Sequence, residues 1–226
     1  MIKATFPEWS SILMVGSPGI GSLEFNISLA KTYVDEGQTV VFVTADINAD
    51  NLLYMMECFG MDVKEKLGKN LFIIDYHTSL LGSYENGDKN SDEVRFVVDL
   101  EGIMFNIDSI IEETGRPIKI FIHSLSTLFL YNQQNVVLKF FQISSSKIRT
   151  DYGSVVFTLH DEVHDGTVVN HLMAIADGVI ELKFDEHLKK QMRIRHMRGY
   201  TTSSQWIPFD IKLVQPNNGR PLLEWK

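Results

Sequence analysis

The chain has 226 residues, 44% of them apolar, which is enough to bury a sizeable core. Charged residues at 22% and 15 glycines are ordinary for a soluble, cytoplasmic globular protein, and no window approaches the roughly 20 apolar residues of a membrane span or the apolar core of a signal peptide. A net charge of −8 repels phosphate backbones, so any nucleic-acid contact requires a local basic patch.

Ile12-Leu13-Met14-Val15 reads as a buried strand. A helix is expected over 21–36, where Leu23, Ile27, Ala30 and Val34 recur at helical spacing and Gly37 ends the run. Thr39–Thr44 reads as the second strand and Asn51–Phe59 as a helix closed by Gly60. The lone cysteine, Cys58, falls in that helix and is expected as a core thiol. Leu71–Asp75 reads as the third strand, with Asp75 as a structural or cap residue. Residues 78–92 look like a loop and 92–114 like a long helix. Lys119–His123 is the fourth strand, Gln134–Thr150 a helix and Ser154–Leu159 the fifth strand, followed by a short helix. Gly178–Phe184, Gln191–Met197 and Trp206–Ile211 read as closing strands, and the residues from Pro216 onward as a tail or docking segment.

Near-continuous Val/Ile/Phe strands alternating with helices predict an α/β fold: a mostly parallel twisted sheet with helices on both faces. The closing strands lack helices between them, which predicts a C-terminal antiparallel extension. There is no internal repeat, and residues 1–226 read as one domain.

The turn between the first strand and helix is rich in glycine. It runs Gly16-Ser17-Pro18-Gly19-Ile20-Gly21-Ser22-Leu23. The phosphate-binding loop G-x-x-x-x-G-K-[ST] uses backbone amides to cradle phosphates, a lysine to reach them and a hydroxyl to hold Mg²⁺. Gly16 and Gly21 have the required spacing, but Ser22 stands where lysine belongs and Leu23 where Ser/Thr belongs. On its own the segment is equally a glycine-rich turn without ligand, although its amides and helix N-terminus suit a small anion.

This loop, the strand Val40–Thr44, the run Ile120-Phe121-Ile122-His123-Ser124-Leu125-Ser126 and the segment His196-Met197-Arg198-Gly199 resemble the KaiC/RadA branch of RecA-type P-loop ATPases. The resemblance covers about Ile12 to Ile211 and implies a RecA-like core that binds ATP with Mg²⁺. It also implies what is missing. In the family the strand ending at His123 ends instead in the aspartate that orders Mg²⁺, an ion that prefers oxygen to imidazole. A Glu-Glu pair, one member of which orients the attacking water, aligns with Asp46 and Ile47, so Asp46 reads either as a loop or helix-cap carboxylate or as a catalytic vestige, and Ile47 activates nothing. His123 is expected to be satisfied by a backbone carbonyl, with a softer metal or an anion as the other reading. No metal site is assigned. His160-Asp161-Glu162 and His164-Asp165 read as a solvated loop, with a metal site as the lesser reading.

Charge-assisted hydrogen bonds contribute about 1.5–3 kcal/mol each. Losing the lysine and both protein contacts to Mg²⁺ therefore weakens nucleotide binding from micromolar toward millimolar. Both the ammonium group and the divalent ion are expected to be absent. The reading is a KaiC/RadA-like pseudo-ATPase that acts by binding or assembly. The cofactor reading is accordingly no confident ligand, with ATP and Mg²⁺ weak at most; self-association or a protein partner is expected. A second reading is ATP binding with unusual ligands, Arg198 of a neighbouring subunit or Lys31. A third is single-stranded DNA binding through Arg193, Arg195 and Arg198. In the family the segment around Arg198 reaches a neighbour's phosphate; alternatively it lies on a solvated edge strand whose charges deter strand addition. On a regular strand Met192, Ile194, His196 and Arg198 share one face.

Overall fold

A computed structural model describes residues 6–80 and 93–211. Its strands are β1 (Ser11–Gly16), β2 (Thr39–Thr44), β3 (Leu71–Asp75), β4 (Val94–Phe96), β5 (Ile118–His123), β6 (Gly153–His160), β7 (Gly178–Phe184), β8 (Lys190–Met197) and β9 (Ile207–Pro208). They form one sheet in the order β4-β3-β2-β5-β6-β1-β7-β8-β9. From β4 to β7 all neighbours are parallel, while β8 and β9 add antiparallel. The fold is thus α/β with a C-terminal antiparallel extension, as the strand pattern predicts.

The helices are α1 (Ser22–Asp35), α2 (Ala49–Cys58), α3 (Val63–Lys66), α4 (His77–Leu80), α5 (Leu100–Thr114), α6 (Leu125–Tyr131), α7 (Gln134–Lys147) and α8 (Gly166–Ile175). Several of their starts are set by short polar side chains that accept from otherwise unsatisfied amides. Asn48 accepts from Asn51 N at 3.0 Å, Asp99 from Gly102 N at 2.6 Å and Asp165 from Thr167 N at 2.7 Å.

Period-two alternation along the strands splits the core in two. On one face Ile12, Met14, Val40, Phe42 and Phe121 meet Ile27, Ala30 and Val34 of α1 and Leu52 and Met56 of α2. On the other, Leu13, Val41, Val43, Ile120 and Phe157 meet Ile103, Ile107 and Ile110 of α5, Leu128 of α6, Phe141 of α7 and Leu172 of α8. Phe42 stacks on Phe121 with ring centres 5.6 Å apart. Burying one such side chain stabilises the fold by about 1.5–3 kcal/mol. The chain runs outward through β2, β3 and β4, then returns to lay β5 and β6 between β2 and β1. The carboxyl ends of β2, β5, β6 and β1 therefore lie side by side, where open α/β sheets bind ligands.

Several expectations are corrected. Residues 94–96 are a strand rather than the start of a long helix, and Arg95 reaches α5, its Nη2 donating to Glu113 Oε1 at 2.6 Å. His77–Leu80 is a short helix; the rest of the expected loop and the tail from Pro216 lie outside the described residues. The helix α7 stops at Lys147 and gives way to a wider π turn at Ile148–Tyr152. The last strand among the described residues, β9, is only two residues long. Cys58 is half-buried rather than in the core. A bulge at Arg195 shifts the register of β8, with Val179 opposite His196 but Ile180 opposite Ile194. Met192 and Met197 are consequently both buried while His196 and Arg198 are exposed, so the four residues expected on one face are divided.

Candidate functional site

The glycine loop forms the turn between β1 and α1. Gly16 ends β1 level with His160 of β6 and Leu182 of β7. Ser17 N donates to Leu182 O at 3.1 Å and Ile20 N to Ser17 O at 3.1 Å, which folds the loop back on itself. The Ile20 side chain is fully buried beneath it, so close that a Cβ on Gly16 would lie 3.0 Å from Ile20 Cγ2. Gly19 at φ 78° and Gly21 at φ 92° occupy the left-handed region that glycine tolerates. Pro18 sits at the outer turn and has no amide to offer. Gly21 caps α1 without a side-chain hydrogen bond, so the first turn of α1 presents backbone amides at the positive end of the helix dipole. Ser22 is buried and Leu23 packs against the α1 face of the core.

One cation does reach this loop, contrary to expectation. Lys190, at the start of β8, places its Nζ 2.9 Å from where a Cβ on Gly21 would stand. The Lys189-Lys190 pair was visible in the sequence, but only the pairing of β8 with β7 puts the second of them beside the loop. The other candidates are elsewhere. Lys31 pairs with Asp35. Arg198 lies at the opposite end of β8, about 25 Å away at a rise of about 3.3 Å per residue. There its Nη1 pairs with Asp177 Oδ1 at 2.6 Å, which also receives Arg149 at 2.9 Å. Arg198 is therefore not part of this chain's own loop site.

Next to the loop, three neighbouring strands bring Asp46, His123 and His160 together. Asp46 follows β2, and its Oδ1 accepts from Ser124 N at 3.1 Å, Ser124 Oγ at 2.8 Å and Thr127 Oγ1 at 2.6 Å. Ser124 in turn accepts from Thr127 N as the N-cap of α6. The other oxygen, Oδ2, lies 3.4 Å from His123 Nε2 and 4.0 Å from His160 Nε2. The two rings meet edge to face with centres 6.0 Å apart. His123 is 3% exposed, and among the described residues its Nδ1 has no hydrogen-bond partner, so the expected backbone carbonyl is not there. Burial lowers its pKa to about 4, Asp46 opposing and His160 reinforcing the shift, which leaves the ring neutral at pH 7.

His160 N donates to Ser126 Oγ at 2.8 Å, and His164 Nε2 lies 2.9 Å from the same hydroxyl. The loop Asp161–Asp165 is solvated as expected, yet the histidines at its two ends turn toward the sheet edge. Sequence separation hid this cluster; the signal was a polar residue at the end of each of three strands. Ile47 packs against the α1 face of the core. A cavity of about 630 Å³ lies apart from all of these, between Phe25 of α1 and Met192 of β8.

The residues present do not fit Mg²⁺. Leu23 offers no oxygen and His123 offers nitrogen, whereas Mg²⁺ demands oxygen ligands in octahedral geometry. The loop and its helix N-terminus do suit an anion.

This combination of a mostly parallel sheet, a glycine loop entering α1 and polar residues at adjacent strand ends defines a RecA-type P-loop fold. Residues 1–215 match the KaiC ATPase family, and the chain belongs to it. A UPF0273 protein of Aeropyrum pernix is 28% identical over 216 residues, 91% of this chain and 83% of that one. A UPF0273 protein of Pyrococcus horikoshii is 24% identical over 222 residues, 93% and 86% of the two chains. The crystal structure of a KaiC-like protein from Pyrococcus horikoshii superposes with a TM-score of 0.69 at 22% identity, covering 92% of this chain and 88% of that one. Among the described residues no helix is long and apolar enough to cross a membrane.

Proposed function

We propose that this KaiC-family chain acts by binding or assembly and does not hydrolyse ATP. The observation that carries the reading is the set of side chains at the four positions where the family's resemblance puts catalysis. Ser22 is buried, Leu23 and Ile47 pack against the core, and His123 is a buried neutral imidazole. Phosphoryl transfer depends on positioning and on neutralising developing charge, and none of these four groups does either. The remaining carboxylate, Asp46, has one oxygen committed to three hydrogen bonds. Exposed Leu130 and Tyr131 of α6 and Val136 of α7 offer apolar area for a partner surface. Incubation with ATP and Mg²⁺ tests the reading: phosphate release is expected to stay at the level of a no-protein blank. Release that disappears in Asp46→Ala overturns it.

A second reading, nucleotide binding with unusual ligands, rests on Lys190. A cation beside Gly21 and an uncapped α1 favour an anion without the helix lysine, while the Glu24 carboxylate, 3.5 Å from the same Cβ position, opposes it. Thermal-shift titration of the wild type and Lys190→Ala with Mg-ATP separates the two readings.

A further inference from the structure

Asp46, His123 and His160 form a donor set of different chemistry from the one the fold family uses for Mg²⁺. We propose that these three side chains bind a borderline divalent transition-metal ion of the Zn²⁺, Co²⁺ or Fe²⁺ class. Two imidazoles and one carboxylate suit those ions and leave coordination positions open to water or a ligand oxygen.

The geometry supports the set. One donor atom from each residue can be chosen so that all three lie within 4.8 Å of one another. Bonds of about 2.0–2.1 Å in tetrahedral geometry place ligand atoms about 3.3 Å apart. The Asp46–His123 separation of 3.4 Å already meets this, and at 4.0 Å from Asp46 the His160 ring, the most exposed of the three, has only a short distance to close.

The surroundings also match a ligand set. Ser124 and Thr127 hold Asp46 Oδ1 and so aim Oδ2 at the two rings, the orienting role that outer hydrogen bonds play at metal sites. Ser126 anchors the main chain of His160. The His123 ring is an otherwise unsatisfied buried group, since Nδ1 has no partner among the described residues and Nε2 meets only a carboxylate at 3.4 Å. A metal bond at Nε2 would replace that long contact, while Nδ1 keeps no partner among the described residues. The glycine loop borders the set, since Gly16 stands level with His160 in the sheet.

The test is a Co²⁺ titration of tag-free protein stripped with a chelator, followed by the visible d–d absorption of the bound ion and without nucleotide. Its outcome is thus independent of whether the chain hydrolyses ATP. Saturable binding of one ion per chain is expected, reversed by Zn²⁺ and unaffected by excess Mg²⁺. Removing an outer hydrogen bond with Thr127→Val is expected to weaken binding about 10-fold or more, and Asp46→Asn and His160→Ala at least about 100-fold, at or beyond the upper end of what loss of an outer partner costs. Changing the exposed His187 to Ala should alter nothing. His160 is partly exposed, so its variant keeps the test decisive even where Asp46→Asn does not fold. Absence of d–d bands, or equal affinity in His160→Ala and wild type, overturns the proposal.

Discussion

Asp75 is fully buried at the end of β3, and hydrogen bonds hold both of its oxygens. Its Oδ2 accepts from Ala49 N at 2.8 Å and Thr78 Oγ1 at 2.8 Å, and its Oδ1 from Thr78 N at 2.8 Å. It ties the start of α2 and the turn of α4 to the sheet. Asp75→Ala leaves one buried and one half-buried amide without partners and is expected to destabilise the fold by about 2–4 kcal/mol in urea denaturation. Glu181 makes a different prediction. Burial pushes its carboxyl up, but hydrogen bonds and charge from Arg193 and Arg195 outweigh burial and hold it below the usual 4.5. A carboxyl with a depressed folded-state pKa binds fewer protons when native. The stability it supplies is therefore complete above about pH 4.5 and is lost as pH falls through the depressed value. Glu181→Gln is expected to be about 1 kcal/mol less stable than wild type at pH 7, with the gap closing in strongly acidic buffer. A pH series of denaturation curves measures it, and a constant gap rejects the assignment.

At the scale of elements, what the sequence made legible were the long apolar strands and the helices with regular apolar spacing. The strand β4 was not, because three residues carry too short a period, although the run Val94–Val98 is β-branched and aromatic and Asp99 marks the true helix start. The helix α6 escaped because Ser124 looked like part of a motif rather than an N-cap. The glycine loop was legible from spacing alone. The Asp46–His123–His160 cluster was not, since only the insertion of β5 and β6 between β2 and β1 makes their ends neighbours. The opposite ends of β5 and β6 hold the tightest approach to backbone at any described glycine. Gly153 joins the π turn to β6 at φ 140°, and a Cβ there would lie 2.2 Å from the backbone oxygen of Ile118. The clash is with the main chain of β5, which cannot swing aside as a side chain does. Gly153→Ala is expected to cost more than about 3 kcal/mol, with loss of soluble protein, because strain and clash add. Near wild-type melting would place β5 and β6 farther apart than they are here.

For the molecule as a whole the open quantity is how much anion affinity the loop retains, and the arithmetic of ligand linkage makes it measurable. A ligand that binds only the folded state adds RT ln(1 + [L]/Kd), so 5 mM Mg-ATP adds about 1 kcal/mol if Kd is about 1 mM and about 5 kcal/mol if Kd is about 1 μM. In a chain of this size 1 kcal/mol moves Tm by about 2–4 °C. The proposed reading, in which Ser22, Leu23 and His123 supply neither a cation nor a Mg²⁺ ligand, predicts the smaller shift, no more than about 4 °C. Lys190 is the one described cation whose ammonium lies against Gly21, so its contribution is separable. If its charge assists the loop by about 1.5 kcal/mol, Lys190→Ala raises Kd about tenfold and the shift at 5 mM falls below about 1 °C. A shift above about 10 °C in wild type would mean that the pocket keeps full nucleotide affinity, and the reading of a site without hydrolytic chemistry would then have to rest on phosphate release alone. A small shift that persists unchanged in Lys190→Ala would assign the residual affinity to the amides of α1 and remove Lys190 from the site.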